Sequence, residues 1–368
     1  QIHDVRIEDL LGRDPIVIND QQVTRGIHGK KIMVTGAGGS IGSEISRQLS
    51  DFYPESLILV DQAESALFEL FHEISSRKKD LKVRVVVADV TDLHAMRRLF
   101  ETSVPDVIYH ASAYKHVPLM EAQPYEALRT NVGGTKIVAD LAVEFGTEKF
   151  VMVSTDKAVN PTNVMGASKR ICEMYVSALS QQSGNPTKFI ITRFGNVLGS
   201  SGSVIPLFRK QIAAGGPVTV THREVIRYFM TIPEACRLVM EAGFMGRGGE
   251  IYLFDMGDPV KIYDLALKMI SLSGFVPHKD IEIIETGLRP GEKLYEELLA
   301  GVEETIPTHH QKILIAKTKP FDPEETLKNI NKLVCQIPLE SEDKLVARMK
   351  DIVPEFKSRN SHFESLDK

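Results

Sequence analysis

The stretch Lys31-Ile-Met-Val-Thr-Gly-Ala-Gly-Gly-Ser-Ile-Gly42 decides the fold. An apolar, strand-like run comes first, glycines spaced Gly36-x-x-Gly39-x-x-Gly42 follow, and a helix-forming stretch begins after them. In this spacing the first glycine permits a tight turn, the second lets the backbone approach a pyrophosphate, and the third lets helix and strand pack closely. The sequence therefore predicts a strand–turn–helix unit that binds a dinucleotide, the alternative being a plain glycine turn.

A carboxylate at the end of the next apolar run supports this interpretation. Asp61 lies about 20 residues past the turn, where an acidic side chain receives the ribose hydroxyls of a dinucleotide. A carboxylate there favours NAD, because it would repel the additional phosphate of NADP. Asp89, after the third run, either meets the adenine edge of the cofactor or caps the helix that follows it.

Short apolar runs alternate with longer amphipathic stretches through the first half, which is typical of βαβ units on a sheet covered on both faces. The expected strands are Lys31–Thr35, Leu57–Val60, Val83–Ala88, Val107–Tyr109, Phe150–Ser154 and Phe189–Arg193. The expected helices are Ser43–Leu49, Ala66–Ser76, Leu93–Phe100, Tyr125–Phe145, Val164–Gln182, Pro259–Gly274 and Glu324–Lys332. The predicted fold class is α/β: a Rossmann-like doubly wound parallel sheet with a smaller C-terminal substrate-binding region.

The composition and the pattern of apolar and polar residues divide the chain into four regions. Residues 1–28 form an N-terminal arm or linker, with a short helix around Ile7–Leu11 and an extended stretch at Pro15–Ile18. Residues 29–200 form the NAD-binding domain, and residues 201–335, where Gly, Pro and Thr become frequent, mainly bind substrate. Residues 336–368 form a C-terminal helix and a tail, whose last, polar residues are expected to be frayed.

Composition excludes several classes of protein. The chain has 368 residues, 43% of them hydrophobic, and a formal net charge of −5, which is typical of a globular protein and gives no basic surface for nucleic acid. Three widely spaced cysteines, Cys172, Cys236 and Cys335, predict neither a disulfide framework nor a zinc ribbon. No apolar run is long enough to span a membrane. Because the chain begins at Gln1, we expect it to be processed or truncated.

The residues Ser154-Thr155-Asp156-Lys157 close a predicted strand, where ligand chemistry gathers in open α/β sheets. Met165 and Lys169 are four residues apart on a predicted helix and therefore share a face. Asp156 and Lys157 are either a reactive pair or a surface ion pair at a strand end.

Together with His110-Ala-Ser-Ala-Tyr-Lys115, Asn131 and Arg193-Phe-Gly-Asn196, these residues resemble the extended short-chain dehydrogenase/reductases. That superfamily normally carries Tyr-x-x-x-Lys, whose tyrosine acts as a base with a pKa lowered by the lysine and the cofactor. Here Met165 replaces the tyrosine, and a thioether cannot take a proton; we expect it also to pack in the core. The resemblance implies an NAD site formed by Gly36, Gly38, Gly39, Ser40, Ile41, Gly42, Asp61, Asp89, Val90, His110, Ala111, Ala113, Asn131, Ser154 and Lys169.

Two features narrow the resemblance. Thr155-Asp156-Lys157 is similar to the motif at this position in the UDP-N-acetylglucosamine 4,6-dehydratases of bacterial glycan synthesis. The methionine at position 165 is similar to that of the large, membrane-anchored members of this group, which retain the C5 configuration. The run Val5–Pro15 resembles the linker between the membrane part and the catalytic domain of those proteins. This implies a domain on the cytoplasmic side of the inner membrane, held there by an N-terminal anchor that these residues do not include.

The chemistry assigns a role to each residue of the segment. Oxidation at C4 of the sugar makes the C5 proton removable, so the site needs a base for C5, an acid for the C6 hydroxyl and a nicotinamide. Lys157 is the expected C5 base, with a pKa lowered by Lys169 and the nicotinamide. Asp156 is the expected acid, and it is also a candidate acceptor for the O4 proton; Thr155 hydrogen-bonds O4, and Lys169 binds the nicotinamide ribose.

On the substrate side, the resemblance implies contacts with a nucleotide sugar, a UDP-sugar, from Lys115, His116, Asn196, Val204, Arg227, Arg289 and Glu292. Arginine suits a diphosphate because its planar fork pairs with two oxygens, although each arginine alone could be an ordinary surface residue. His116 could equally be a structural histidine. His309-His310 is expected to lie in a solvated loop, and no metal site is predicted.

The leading hypothesis is a lyase, a configuration-retaining UDP-N-acetylglucosamine 4,6-dehydratase that self-associates. Alternatives are an inverting dehydratase or a nucleotide-sugar epimerase on the same scaffold. A protein of another class, a catalytically lapsed NAD-binding regulator, would also have lost the tyrosine, but it would need neither the Asp156–Lys157 pair nor the Arg289-Pro-Gly-Glu292 run.

Overall fold

The computed structural model describes residues 20–296, 304–318 and 320–367. A nine-stranded sheet in the order β13-β14-β10-β6-β5-β4-β1-β2-β3 forms its centre. The strands among the described residues are β1 Lys31–Thr35, β2 Ser56–Asp61, β3 Lys82–Val87, β4 Val107–His110, β5 Lys149–Thr155, β6 Lys188–Phe194, β7 Asn196–Leu198, β8 Val218–Val220, β9 Ile226–Thr231, β10 Ile251–Phe254, β11 Pro259–Lys261, β12 Ile283–Glu285, β13 Thr305–Pro307 and β14 Ile313–Ala316.

Helices cover both faces of this sheet. The described helices are α1 Asp20–Ile27, α2 Ser40–Leu49, α3 Glu64–Arg77, α4 Leu93–Thr102, α5 Val117–Glu121, α6 Pro124–Ala127, α7 Gly134–Glu144, α8 Val164–Ser180, α9 Val204–Ala213, α10 Ile232–Met245, α11 Ile262–Leu272, α12 Pro323–Gln336 and α13 Glu342–Ile352. Of these, α9 and α11 pack in the smaller region instead. Short 3₁₀ helices lie at Ser50–Phe52, Asp156–Ala158 and His362–Leu366, and a π-helical turn at Leu128–Gly133.

The alternation of side chains along each strand divides the core into two layers. Met33 and Ile58 pack under α7 and α8, whereas Ile32, Val34 and Leu57 pack under α2 and α10 on the opposite face. All of these residues are buried, because parallel strands with helices on both faces have no solvent-facing side. The predicted doubly wound sheet is confirmed.

The strand order reverses between β1 and β4, both of which are parallel to their neighbours. The carboxyl ends of β1, β2, β4, β5 and β6 therefore open onto one crevice, the place where open α/β sheets bind ligands. A smaller region, built on the sheets β11-β9-β7 and β12-β8 with its own apolar cluster, adjoins it. Two segments from the predicted 201–335 region, Ile251–Phe254 and Thr305–Ala316, return to extend the central sheet.

Three expectations about local structure were wrong. The helix expected over Tyr125–Phe145 is interrupted by the π-helical turn Leu128–Gly133. The helix expected from Pro259 begins only at Ile262, because Pro259–Lys261 pairs as a strand with β9. The C-terminal tail is not frayed: Phe363 is buried, and a capping box at Ser361 starts a 3₁₀ helix.

At the N-terminus, the helix α1 was not expected within the predicted arm, and the short helix and extended stretch predicted at residues 7–18 lie outside the described residues. Within the described part of the chain, no helix is both long and apolar enough to cross a bilayer. His309 is half exposed in its loop, with Nε2 3.2 Å from Oε1 of the buried Glu241.

Candidate active site

The glycine-rich turn after β1 has no room for side chains. Gly36 adopts a φ of +68°, and a Cβ there would lie 2.7 Å from the carbonyl carbon of Ala111. A Cβ on Gly42 would lie 2.0 Å from the carbonyl oxygen of Gly36. The first and third glycines of the motif are therefore required by the backbone itself.

The N-terminus of α2 follows directly and faces the crevice. Gly39 is its N-cap and contributes no side-chain hydrogen bond to the first N–H groups, which begin at Ser40 and Ile41. Such a helix end is suited to an anion. Asp61, at the end of β2, accepts a hydrogen bond of 2.9 Å from the N–H of Gly38, so the carboxylate and the turn hold each other in place.

Asp89 does not cap α4, because Asp92 has that role and accepts from the N–H of Ala95. Instead, Asp89 accepts from the N–H of Thr91 at 2.9 Å and lies 3.3 Å from Nη1 of Arg129. Burial acts to raise the pKa of Asp89, but the bonds from Thr91 and Arg129 outweigh it and lower the pKa. Val90, next to it, is buried.

His110 ends β4 in a fully buried position. Its Nδ1 lies 2.7 Å from Oγ1 of Thr35 and its Nε2 3.0 Å from Oγ1 of Thr135. Burial, with a smaller contribution from the charge of Lys169, lowers the pKa of His110 to about 3. A neutral histidine thus fixes the start of the loop that contains Ala113.

Two residues expected at the cofactor use their side chains within the protein. Asn131, on the π-helical turn, bonds both backbone groups of Tyr114 and donates to Oγ of Ser168 at 2.9 Å. Ser154 donates to Glu173 at 2.6 Å. These contacts make both residues positioning groups for the loop after β4 and for the end of β5.

The segment after β5 brings the predicted catalytic residues together. Oγ1 of Thr155 donates to Oδ1 of Asp156 at 2.9 Å, and Nζ of Lys157 donates to the same oxygen at 3.0 Å. Asn196, at the start of β7, accepts from Nζ of Lys157 at 3.3 Å. The 3₁₀ turn at Asp156–Ala158 explains this proximity, because side chains that an extended strand would send to opposite faces converge here.

The expected lowering of the Lys157 pKa is wrong for the chain alone. Burial does act to lower it, but the carboxylates of Asp156 and Glu296 outweigh burial and the repulsion from Arg227, so the pKa is raised. The charge of Lys169 is not among the causes. Lys157 is therefore a charged group until a ligand changes its surroundings.

Glu296 was missed by the sequence reasoning. Its Oε1 lies 3.7 Å from Nζ of Lys157 and 3.6 Å from Nε of Arg227, and its side chain is buried. The available signal was its position in the run that follows Gly291, a charged segment whose contacts only the fold reveals.

Met165 and Lys169 lie on α8, whose N-cap Asn163 bonds the N–H of Gly166 at 2.8 Å. Met165 is 3% exposed and belongs to the core under the sheet, as expected. Lys169 is 5% exposed, and its amine has no hydrogen-bond or ion-pair partner among the described residues. Burial lowers the pKa of Lys169, against smaller opposing effects of Cys172 and Glu173.

The predicted substrate arginines differ in their surroundings. Nη2 of the buried Arg227 donates to the carbonyl oxygen of Lys293 at 2.8 Å and to Oε1 of Glu292 at 3.1 Å, so this guanidinium holds the 292–296 segment. Oε2 of Glu292 accepts from the backbone N–H of Arg289 at 3.0 Å. The exposed guanidinium of Arg289 bonds no residue that the structure describes, which leaves it available for a phosphate.

The remaining predicted substrate residues border the same crevice. Lys115 and His116 are exposed after β4, and the ring of His116 lies against Gly202, where a Cβ would approach Cε1 to 2.6 Å. Val204 begins α9 immediately beyond that loop. The crevice is thus bounded by the loop after β4 on one side and by the start of the smaller region on the other.

The donor set fits a dinucleotide. Three elements favour it: a turn without side chains at a helix N-terminus, a carboxylate at the end of β2, and the buried, unpaired amine of Lys169. A buried cation without a partner is costly unless a ligand compensates it, and ribose hydroxyls are suitable acceptors. Among the described residues, no three His, Cys, Asp or Glu side chains could hold a metal ion.

Comparison with known proteins identifies the family. The sequence profile of the family described as "Polysaccharide biosynthesis protein" matches residues 32–318. The chain belongs to this family. The match covers most of the chain, and the chain is an extended short-chain dehydrogenase/reductase in its fold.

Individual proteins agree with this assignment. The chain is 52% identical to the probable polysaccharide biosynthesis protein EpsC of Bacillus subtilis over 88% of this chain and 54% of EpsC, so it spans about half the length of that relative. It is 34% identical to a UDP-N-acetylglucosamine 4,6-dehydratase (inverting) of Campylobacter jejuni, over 74% of this chain and 78% of the relative. It resembles the solved structure of Pen from Bacillus thuringiensis with a TM-score of 0.73 and 30% identity, covering 83% of this chain and 98% of Pen. Several similar solved structures contain NAD.

Proposed function

We propose that this chain is the catalytic domain of an NAD-dependent UDP-N-acetylglucosamine 4,6-dehydratase that retains the C5 configuration. The observation that carries the proposal is the hydrogen-bonded group Thr155–Asp156–Lys157 beside a methionine in the tyrosine position. The similarity to a dehydratase named for this substrate supports the substrate and the reaction, while that relative is named as inverting, so retention rests on the methionine alone. NAD, when bound, would supply the hydride acceptor for oxidation at C4 of the sugar and the hydride for reduction at C6.

The O4 proton leaves through Thr155. Its hydroxyl already donates to Asp156 at 2.9 Å, so its oxygen can accept the proton of O4 while its own proton passes to the carboxylate. Asp156 is then the acid that protonates the departing C6 hydroxyl. This route gives Asp156 both roles and needs no tyrosine.

Lys157 removes and later returns the C5 proton. It has to release its own proton first, to water at its partly exposed side chain, because Asp156 and Glu296 keep it charged in the chain alone. Protonation of Asp156 during oxidation removes one of those two carboxylates and so favours that loss. A single base that returns the proton to the face from which it came retains the configuration at C5.

The test is a proton NMR time course with UDP-N-acetylglucosamine in heavy water. We expect a C6 methyl signal, a 4-keto or hydrated sugar, and deuterium at C5, with couplings that report retention. The variant Asp156→Asn should neither reduce bound NAD nor eliminate water. Reduction of NAD by this variant would refute the proton route, and an inverted product would refute retention. An unchanged substrate with bound NAD would favour another nucleotide sugar or the regulatory alternative.

As part of this proposal, the domain self-associates and works at the cytoplasmic face of the membrane, joined to an anchor in the full-length protein. Fractionation of cells that express the full-length gene product or this domain alone tests the location at the membrane. Sedimentation of the purified domain tests self-association.

A further inference from the structure

The C-terminal segment from Pro354 to Asp367, here the C-terminal strap, pairs with the residues that lead into α8. The N–H of Lys357 donates to the carbonyl oxygen of Pro161 at 3.1 Å, and that of Arg359 to the oxygen of Thr162 at 3.1 Å. Because α8 carries Met165, the strap lies directly behind the start of the helix that forms one wall of the site.

The same strap holds the loop that carries Arg289. The N–H of Gly291 donates to the carbonyl oxygen of Arg359 at 2.8 Å, while the oxygen of Gly291 accepts from Thr162 at 3.2 Å and from Asn163 at 3.1 Å. Gly291 has a φ of +76°, and a Cβ on it would lie 2.5 Å from Cβ of Asn163. The junction therefore accepts only glycine and joins three segments of the chain at one residue.

A buried lysine fixes the strap to α13. The side chain of Lys350 is 3% exposed, and its Nζ donates to Oγ of Ser358 at 2.7 Å and to Oδ1 of Asp367 at 2.5 Å. The ammonium also lies 4.0 Å from the ring centroid of Phe356. Phe356 and Phe363 are each 1% exposed in the main core, so both ends of the strap are anchored.

We propose that the C-terminal strap is a positioning element for substrate, which holds the loop Arg289–Lys293 in the geometry that binds the diphosphate of a nucleotide sugar. Gly291 transmits the position of the strap to the backbone of Arg289 and to Glu292, and Glu292 in turn bonds Arg227. The substrate class rests on the proposed function. The hydrogen-bonded connection from the strap to the loop does not depend on the proposed function.

The test replaces Lys350 by methionine, which keeps an unbranched side chain only one atom shorter and removes the charge. We expect hydrogen exchange to increase at residues 289–293, KM for UDP-N-acetylglucosamine to rise about tenfold, and kcat and the affinity for NAD to change little. Lys149→Met is the matched control, because Nζ of Lys149 bonds the carbonyl oxygens of Gly243 and Phe244 at the other end of β5. It should lower Tm without raising KM.

Asp367→Asn provides a milder second variant, since Asp367 is partly exposed and loses only its charge toward Lys350. Unchanged exchange at residues 289–293 in both variants overturns the proposal, as does an equal loss of NAD and UDP-sugar affinity, which would indicate general destabilisation. If the wild-type protein turns over no UDP-sugar while exchange at the loop still increases, the proposed function fails and the positioning role of the strap stands.

Discussion

Replacing Glu296 by glutamine should move the pH dependence of the reaction. Oε1 of Glu296 lies 3.7 Å from Nζ of Lys157, and both side chains are largely buried. At an effective dielectric constant of about 20, two unit charges at this separation attract by about 4 kcal/mol. Opposite charges this close shift a pKa by about one to three units, so we expect the pKa of Lys157 to fall by about one unit in Glu296→Gln.

The direction of the shift follows from the proposed role of Lys157. The base must be neutral, so kcat/KM rises with pH through the pKa of Lys157, and a lower pKa moves that rising limb to lower pH. Glu296 also lies 3.6 Å from Nε of Arg227, and its removal leaves that cation less compensated. The repulsion between Arg227 and Lys157 then adds to the shift in the same direction.

Glu292→Gln is the control, because Glu292 bonds Arg227 at 3.1 Å but makes no ion pair with Lys157. The assay is kcat/KM for formation of the 4-keto sugar, measured from neutral to alkaline pH for both variants and the wild type. A limb that stays in place in Glu296→Gln, or that moves equally in both variants, would refute the assignment of Lys157 as the base.

Further predictions concern stability and cofactor binding. Because the unfolded chain protonates His110 near pH 6.5 and the folded chain only near 3, stability should fall by about 2 kcal/mol from pH 7 to pH 5, and His110→Asn should reduce this slope in urea unfolding. Arg193→Met leaves the fully buried Glu173 without its main partner and should cost about 3–5 kcal/mol in denaturant titrations, of which the double variant with Glu173→Gln should recover part. Gly42→Ala places a Cβ 2.0 Å from the carbonyl oxygen of Gly36 and should abolish NAD binding, measured by calorimetry. An unaltered Kd for NAD would contradict the described turn.

The parts of the site that are local in sequence could be predicted. The turn at Gly36–Gly42 is defined by spacing and by the positive φ that glycine allows, both of which are written in consecutive residues. β5 and β6 were expected from the five-residue runs Phe150–Ser154 and Phe189–Arg193, and the structure has them as Lys149–Thr155 and Lys188–Phe194. The doubly wound parallel sheet could likewise be expected from the βαβ pattern.

The electrostatic state of the site could not be predicted, because it depends on contacts between distant segments. Lys157 meets Glu296 only after the chain has formed the smaller region and returned, so this contribution to its raised pKa has no local signal, unlike the larger contribution of the adjacent Asp156. The prediction of a frayed tail was wrong for a related reason: its polar composition concealed the buried ring of Phe363 and the ion pair of Asp367 with the buried Lys350. A few buried residues of this kind can order a short polar segment, and they have little effect on the average composition of that segment.

In the proposed mechanism, the replacement of a tyrosine by Met165 changes how protons move through the site. A tyrosine would accept the O4 proton alone. Here Thr155 and Lys157 both donate a hydrogen bond to the same oxygen of Asp156. The protonation state of this carboxyl group therefore affects both the acceptance of the O4 proton and the pKa of Lys157. When Asp156 receives the O4 proton, it no longer carries one of the two negative charges that raise the pKa of Lys157. The other charge, on Glu296, remains. The proposed mechanism thereby couples oxidation at C4 to activation of the C5 base through one carboxyl group, and the order of the two steps follows from that coupling.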